Sequence, residues 1–370
     1  MTLVRPLVCH FITSLSPGGA ERQLSLTLPH LSSFRHMVIG LKHWGSVGEE
    51  LRQKKFPVFN LNASHFFDRK AIHTYRNLLK EHKPDILITY LLEADMWGRL
   101  YSPFSLKKIC FLRASLKEFH YFPFLILNNI THPLVDRFFS VSHAVKDYYV
   151  KFGLPSLKIK PITNGIDLSF FHRKQPYKAT LPEKNCVFTL GYIAHLRIGR
   201  QKNHLFLFKA FQAALEHHPN LELHLIGDGP GHEALLNWVQ THHLSKHIIF
   251  RGKCNNIPSL LESFDLYVHP SRYEGLSNSL IEALAMGCPI LASDIPENRE
   301  IITHGVSGFL SPVKDPYVFS ESILKLIQSP LIRQSFSSHA QECARKFSIE
   351  NTALCLTQAL NDFLKNYKQQ

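Results

Sequence analysis

Residues 270–289 read PSRYEGLSNSLIEALAMGCP. The five residues ahead of Pro270, DLYVH, are short, β-branched and aromatic, and a proline closes them, which is the pattern of a buried strand. Residues 289–293, PILAS, have the same character. Between the two, Ser277 stands as an N-cap, while Leu280, Ile281, Leu284 and Ala285 share one helical face. Gly287 ends that helix and Pro289 prevents its continuation. The spacing therefore predicts a strand–loop–helix–strand unit, and in parallel sheets ligands bind where such loops leave the strands. The loop carries Glu274 and Gly275, and the helix carries Glu282. Free backbone N–H groups near residues 277–279 form an anion site. A carboxylate one turn further in can accept two hydrogen bonds from a vicinal diol. An anion site beside a diol acceptor is what a nucleotide-sugar requires.

The rest of the composition bounds what surrounds this unit. A chain of 370 residues has room for two domains of ordinary size, and 45% hydrophobic with 19% charged residues are globular values. The net charge of +13 is unevenly placed. Residues 1–160 hold 22 Lys and Arg against 11 Asp and Glu, whereas residues 161–370 hold 20 against 18. The first half thus faces something acidic, an anionic membrane surface or nucleic acid, or presents a merely solvated basic face. The 7 cysteines are odd in number and scattered, with no C-x-x-C pair, which fits a reducing compartment and buried thiols. The 23 histidines include no H-E-x-x-H. No long apolar run suits a signal peptide or a membrane span. Residues 119–127 are the most apolar surface candidate. They read either as a core helix starting near Pro123 or as an interfacial segment beside Lys107, Lys108 and Lys117.

Along the chain, residues 7–12 form a strand pattern that runs into Pro17, Gly18, Gly19, Ala20, Glu21 and Arg22 and then a helix. A glycine pair between strand and helix lets backbone amides approach a phosphate, although the Lys-Ser/Thr of a P-loop is missing. Further strands are expected at 37–41, 58–61, 86–90, 109–112 and 137–142, with a helix at 68–82 and another after residue 91 that buries Leu92, Met96, Leu100 and Trp97. Residues 171–184, rich in Pro and Lys, read as a linker. The second half opens with a strand at 187–193 and continues with strands at 221–226 and 248–252. Its loops include His195, Arg197, Arg200, Lys202 and Asn203, then Gly227, Asp228, Gly229 and Pro230. Helices near 316–328, 330–346 and 350–367 end the chain.

Several of these strings together resemble the retaining glycosyltransferases of family 4, which have the GT-B fold. The frame comprises Pro270-Ser271, Tyr273-Glu274-Gly275-Leu276, Asn278, Glu282-Ala283 and Gly287-x-Pro289, with its E-x7-E spacing. Pro17 to Arg22, Asn164-Gly165-Ile166-Asp167, Lys202-Asn203 and residues 298–310 agree with it. The resemblance is dense over 161–312 and thinner over 1–160. It implies an α/β architecture of two Rossmann-like parallel-sheet domains facing across a cleft. Residues 1–165 would form the acceptor domain, joined by a C-terminal helix at about 350–370, and residues 166–349 the nucleotide-sugar donor domain. Three positions depart from the family pattern: His195 stands where an arginine is usual, Arg113 near where many relatives carry a histidine, and Glu93 where histidine is frequent.

The resemblance also implies roles. Glu282 would bind the ribose hydroxyls and Glu274 the transferred sugar. The backbone of Gly275, Leu276, Ser277 and Asn278 would meet sugar and phosphate. Lys202, with Arg197 or Arg200, would hold the diphosphate. Gly18 and Gly19 would close over it, and Gly227 would bring backbone near the nucleotide. Glu93, Asp95 and Arg113 would line the acceptor side. No D-x-D occurs, so no carboxylate pair is poised to bridge a metal to a diphosphate, and neither a metal nor another cofactor is expected. No G-x-S-x-G nucleophile elbow occurs either. The expected activity is retaining, metal-independent transfer from a nucleotide-sugar to a saccharide or lipid-linked glycan, as in polysaccharide or lipopolysaccharide assembly. The expected location is the cytoplasm, peripheral on the inner membrane face, without nucleic-acid binding. A nucleotide-sugar epimerase and a catalytically silent sugar-nucleotide-binding scaffold remain as alternatives.

Overall fold

The computed structural model describes residues 5–114, 122–177, 179, 186–199 and 201–368, with backbone alone at 122–125 and 366–368. The chain divides into two compact units, Met1–Gly165 with Ile349–Gln370, and Ile166–Ser348. The first holds seven parallel strands: β1 (Leu7–Ile12), β2 (Arg35–Gly40), β3 (Val58–Asn60), β4 (Ile86–Tyr90), β5 (Lys107–Leu112), β6 (Arg137–Ser140) and β7 (Ile159–Pro161). Their order is β3-β2-β1-β4-β5-β6-β7. The second holds β8 (Phe188–Ile193), β9 (Leu221–Ile226), β10 (Ile248–Gly252), β11 (Leu266–His269), β12 (Ile290–Ser293) and β13 (Phe309–Ser311), in the order β10-β9-β8-β11-β12-β13. In each sheet the winding reverses beside the first strand, between β1 and β4 and between β8 and β11. Those two switch points are where a doubly wound sheet opens for a ligand.

The strand sequences carry the reason for this architecture. A parallel sheet is covered on both faces, so its strands are continuously apolar rather than alternating. All six residues of β1 and all four of β11 and of β12 are buried. Register at both switch points is pinned in the same way. Asp85, just before β4, donates its N–H to Leu7 O and accepts the Leu7 N–H at 2.7 Å. Asp265, just before β11, does the same with Thr189 of β8, at 2.8 Å for the carboxylate. One aspartate thus fixes two strands by a pair of bonds that a one-residue slip would lose.

The second unit's core joins Leu190, Tyr192, Leu223 and Val268 to Phe208 and Phe211 of the helix His204–His217. The first unit's core stacks Phe11 on Tyr75, with Trp97 against Tyr75 and Tyr101. The last helix, Ile349–Lys368, belongs to the first unit. The Asn164-Gly165 turn is held to the helix Gly19–Thr27 by Gln23, whose amide bonds both the N–H and the C=O of Gly165 at 2.9 and 2.8 Å.

Two sequence expectations need correction, and the open reading of residues 119–127 meets a helix. The helix Leu92–Tyr101 buries Met96 and Trp97 as expected, yet Leu100 is 43% exposed. Asp95 and Arg99 take its buried face instead, because each neutralises the other at 2.6 Å. The described part of the expected linker is bound, not free: Arg173 donates to Met286 O and Tyr177 to Asp265 O. Of residues 119–127, 119–121 lie outside the described residues. The helix Phe122–Thr131 turns Ile126 and Ile130 outward, while Asn128 and Thr131 face inward to Arg99.

Candidate active site

In the second unit, the loops leaving β8, β9, β11 and β12 are tied to one another. From β8, Ala194 N–H bonds Ile226 O and Leu196 N–H bonds Asp228 O, which lays this loop over the exit of β9. Gly227 is obligatory there. Its φ is +134°, and a Cβ would collide with Ala194 O. The turn Gly227-Asp228-Gly229-Pro230 is therefore a packing requirement of its neighbour as well as a close approach for a ligand.

The β8 loop also reaches β11. Arg272 N–H bonds Gln201 O, and Asn203, left-handed at φ +58°, donates its amide to Pro270 O at 3.1 Å. Tyr192 fixes the same loop by donating its hydroxyl to Lys202 O at 2.8 Å. On the other side Ser293, at the end of β12, bonds Ser271 O and is itself held by Asn298 at 2.9 Å.

This stitching sets Lys202 beside Glu274. Their Nζ–Oε1 distance is 2.6 Å, and the Glu274 side chain is 7% exposed. Burial by itself would raise the Glu274 pKa, but Lys202 and His269 outweigh it and hold the carboxyl near about 2. Glu274 is thus an anion at any physiological pH and can only accept hydrogen bonds. His269 ends β11 fully buried, with Nε2 3.5 Å from Glu274 Oε1, and burial lowers its pKa against the pull of Glu274. Lys202 remains partly open to solvent. The next buried histidine, His204, is pushed down to about 4 by burial and by Lys202.

Behind the pair begins the helix Asn278–Ala285. Ser277 caps it, accepting the Leu280 N–H at 3.3 Å, and Gly287, at φ +61°, ends it, as the sequence predicts. Gly275, Leu276 and Ser277 are buried, and Asn278 and Glu282 are half-buried on the helix's open side. Glu282 is near enough to the buried Tyr267 hydroxyl that, after burial itself, its charge helps raise that hydroxyl's pKa. Arg197 is exposed on the β8 loop. Arg200 lies outside the described residues, so the choice between the two arginines stays with the sequence.

In the first unit, Gly18 and Gly19 stand at the exit of β1, where Gly19 opens its helix. Glu21 folds its carboxylate back over Gly18, where a Cβ would have to displace it. Glu93 is partly exposed and pairs with Lys42 at 2.8 Å. It follows Leu91, whose φ of +67° is a strained value for a branched residue and is tolerated at the switch point. Arg113 is half-buried, with Nη1 2.8 Å from Asn164 Oδ1 and the guanidinium over Phe111 at 4.3 Å. Burial lowers its pKa to about 10, against the pull of Tyr90 and Glu21. Asp95 does not face an opening. Both of its oxygens are engaged by Arg99, and Thr89 donates to it at 3.0 Å, so it is a packing residue rather than an acceptor contact.

The sequence reading gave no role to His269, Tyr192 or the Ser271–Ser293–Asn298 chain. Asn203 was the one legible signal among these supporting groups, since an asparagine after Lys202 suits a left-handed cap.

Two family models match the chain. One, described as Glycosyltransferase Family 4, covers residues 17–170, and one described as Glycosyl transferases group 1 covers residues 182–343. Among curated proteins the chain is similar to the UDP-Gal:alpha-D-GlcNAc-diphosphoundecaprenol alpha-1,3-galactosyltransferase of Escherichia coli, 24% identical over 299 residues and 75% of each chain. It is also similar to a diphospho-undecaprenol 4-alpha-N-acetylgalactosaminyltransferase of Campylobacter jejuni, 24% identical over 204 residues, 55% of this chain and 53% of that one. Among solved structures, Anabaena HepE in complex with UDP and glucose superposes with a TM-score of 0.82 at 20% identity, covering 96% of this chain and 100% of that one. Likeness at that identity establishes the fold, two Rossmann-like parallel-sheet domains of the GT-B type.

Proposed function

The chain belongs to the family 4 glycosyltransferases, and we propose that it moves a hexose from a UDP-sugar to a lipid-linked glycan, with retention and without a metal. The observation that carries this reading is the Lys202–Glu274 pair at the β8/β11 switch point. Glu274, held ionised, can accept hydrogen bonds from hydroxyls of the transferred sugar but has no proton to give as a general acid. Departure of the nucleoside diphosphate is then assisted by charge. Lys202 supplies one cation, with Arg197 or Arg200 beside it, and the amides at the start of the helix Asn278–Ala285 supply a further positive pole. Glu282, on the same helix, accepts from the ribose diol. The protein's work is to position the acceptor and stabilise the leaving group, without a covalent step.

The donor class rests on the relatives. The Escherichia coli protein is named for UDP-Gal, and Anabaena HepE binds UDP. The acceptor class rests on the diphosphoundecaprenol in the names of both curated relatives. Among the described residues no helix is long and apolar enough to cross a membrane. Contact with a lipid-linked acceptor would be peripheral, through the basic first half and the outward Ile126 and Ile130.

The test is transfer of radiolabel from UDP-glucose, UDP-galactose and UDP-N-acetylglucosamine to lipid extracted from bacterial membranes, with and without EDTA. One donor should label lipid, EDTA should change nothing, and Glu282→Ala should abolish both labelling and the thermal stabilisation by UDP. Stabilisation by UDP that survives Glu282→Ala would remove Glu282 from the donor site.

A further inference from the structure

A second site lies in the first unit, at the opposite end of the strands from the loops described above. Arg137 opens β6, and Phe139, two residues on, points to the same side of the sheet. Lys160 of β7 stands in register with Phe139 and shares that face. The far half of the last helix lies across it, presenting Asp362, Phe363 and Lys365. Phe139 and Phe363 are buried between helix and sheet, and the charged side chains stand around them. A cavity of about 310 Å³ remains between these six residues and Ala359. That lies at the small end of ligand pockets.

The charge around it is unbalanced. Three cations line it against one carboxylate, and that carboxylate is 3.8 Å from Lys160, at the limit of an ion pair. Arg137 is half-buried, and among the described residues its guanidinium makes no hydrogen bond and no ion pair. A guanidinium presents five donors in a planar fork, which an anion can take in place of water. A phosphate or diphosphate group matches that fork in geometry and the surplus of two in charge.

We propose that this cavity binds a phosphate-bearing ligand, held by Arg137, Lys160 and Lys365 over Phe139 and Phe363, at a site separate from the sugar-transfer centre. The phosphate can come from a lipid headgroup or from a soluble phosphate ester or diphosphate, and the chemistry at Arg137 is the same.

The test measures binding of inorganic pyrophosphate and, in a second arm, of dihexanoyl phosphatidylglycerol below its micelle concentration, with dihexanoyl phosphatidylcholine as the uncharged control. Each is titrated into the full chain, into Arg137→Gln/Lys160→Gln, into Lys202→Gln, and into Lys70→Gln/Lys80→Gln, which removes two exposed charges elsewhere in the first unit. The expected result is binding that weakens at least tenfold in Arg137→Gln/Lys160→Gln and survives in the other two variants, with Arg137→Lys intermediate. Response to pyrophosphate alone identifies a soluble ligand, and response to the glycerol lipid identifies a headgroup. Three results would overturn the proposal: no binding in either arm, binding lost only in Lys202→Gln, or equal loss in Lys70→Gln/Lys80→Gln. The first denies a ligand, the second assigns it to the transfer site, and the third reduces it to unspecific charge.

Discussion

Lys202 and Glu274 are seventy-two residues apart in sequence and 2.6 Å apart in space. Replacing Lys202 by Gln leaves a buried carboxylate without its cation, which should cost about 3–5 kcal/mol of stability. It should also lower kcat by about 10²–10³, the usual effect of deleting one preorganised charge at a leaving group. Lys202→Gln/Glu274→Gln separates the two effects. The melting temperature should recover in the double variant and transfer should not; recovery of both would make the pair purely structural. The same carboxylate gives a pH signature. Its folded pKa, about 2, lies below the ordinary carboxyl value of 4.5, so the unfolded chain binds the proton more readily. The stability it contributes is fully present above about 4.5 and is lost as pH falls toward 2. Glu274→Gln should therefore flatten the fall in melting temperature between about pH 5 and 3.5, relative to wild type. The E-x7-E string was readable because both glutamates sit in one local unit. The ion pair was not, since Lys202 comes from another loop and only the β8/β11 pairing brings it near.

At the scale of elements, sequence periodicity locates the strands well where their apolar runs are five or six residues long, even at the edge position of β10. β1, β4, β9 and β10 occupy the ranges that their apolar runs predict. The edge strands β7 and β13, three residues each, and the helix Ser46–Gln53 carry too little pattern to stand out. The helix Leu92–Tyr101 shows a different failure. Its apolar residues point to one buried face, but the Asp95–Arg99 pair, also bound to Thr89, Thr131 and Asn128, is cheaper to bury than the periodicity assumes. Asp95→Ala should lower stability by about 3–5 kcal/mol by stranding Arg99, while KM for the acceptor stays unchanged in the folded fraction. A rise in acceptor KM without a loss of melting temperature would return Asp95 to the acceptor side. Ser277→Ala removes the N-cap of the helix behind Glu274 and should cost about 1 kcal/mol, seen as a lower urea midpoint.

For the whole molecule, charge is the property that sequence alone supplies: residues 1–160 carry a surplus of eleven positive charges. If the first unit meets an anionic bilayer, flotation with phosphatidylglycerol vesicles should be strong at low salt and fall steeply by 0.3 M, with phosphatidylcholine vesicles inert. Equal flotation with both lipids would place the contact on apolar surface alone. With the two-domain division near residue 165 implied by the family resemblance, the sequence by itself determined the buried strands, the capped helix that carries Glu282, and the glycines at the strand exits. Each of these is written in contiguous residues, through turn chemistry, capping and the burial of both sheet faces. Only the tertiary structure decided that Glu274 is an anion, that Asp95 supports a core rather than a substrate, and that Arg137, Lys160 and Lys365 surround one cavity. Those properties depend on which side chains distant segments bring together and on how much water is excluded there. No spacing along the chain encodes either.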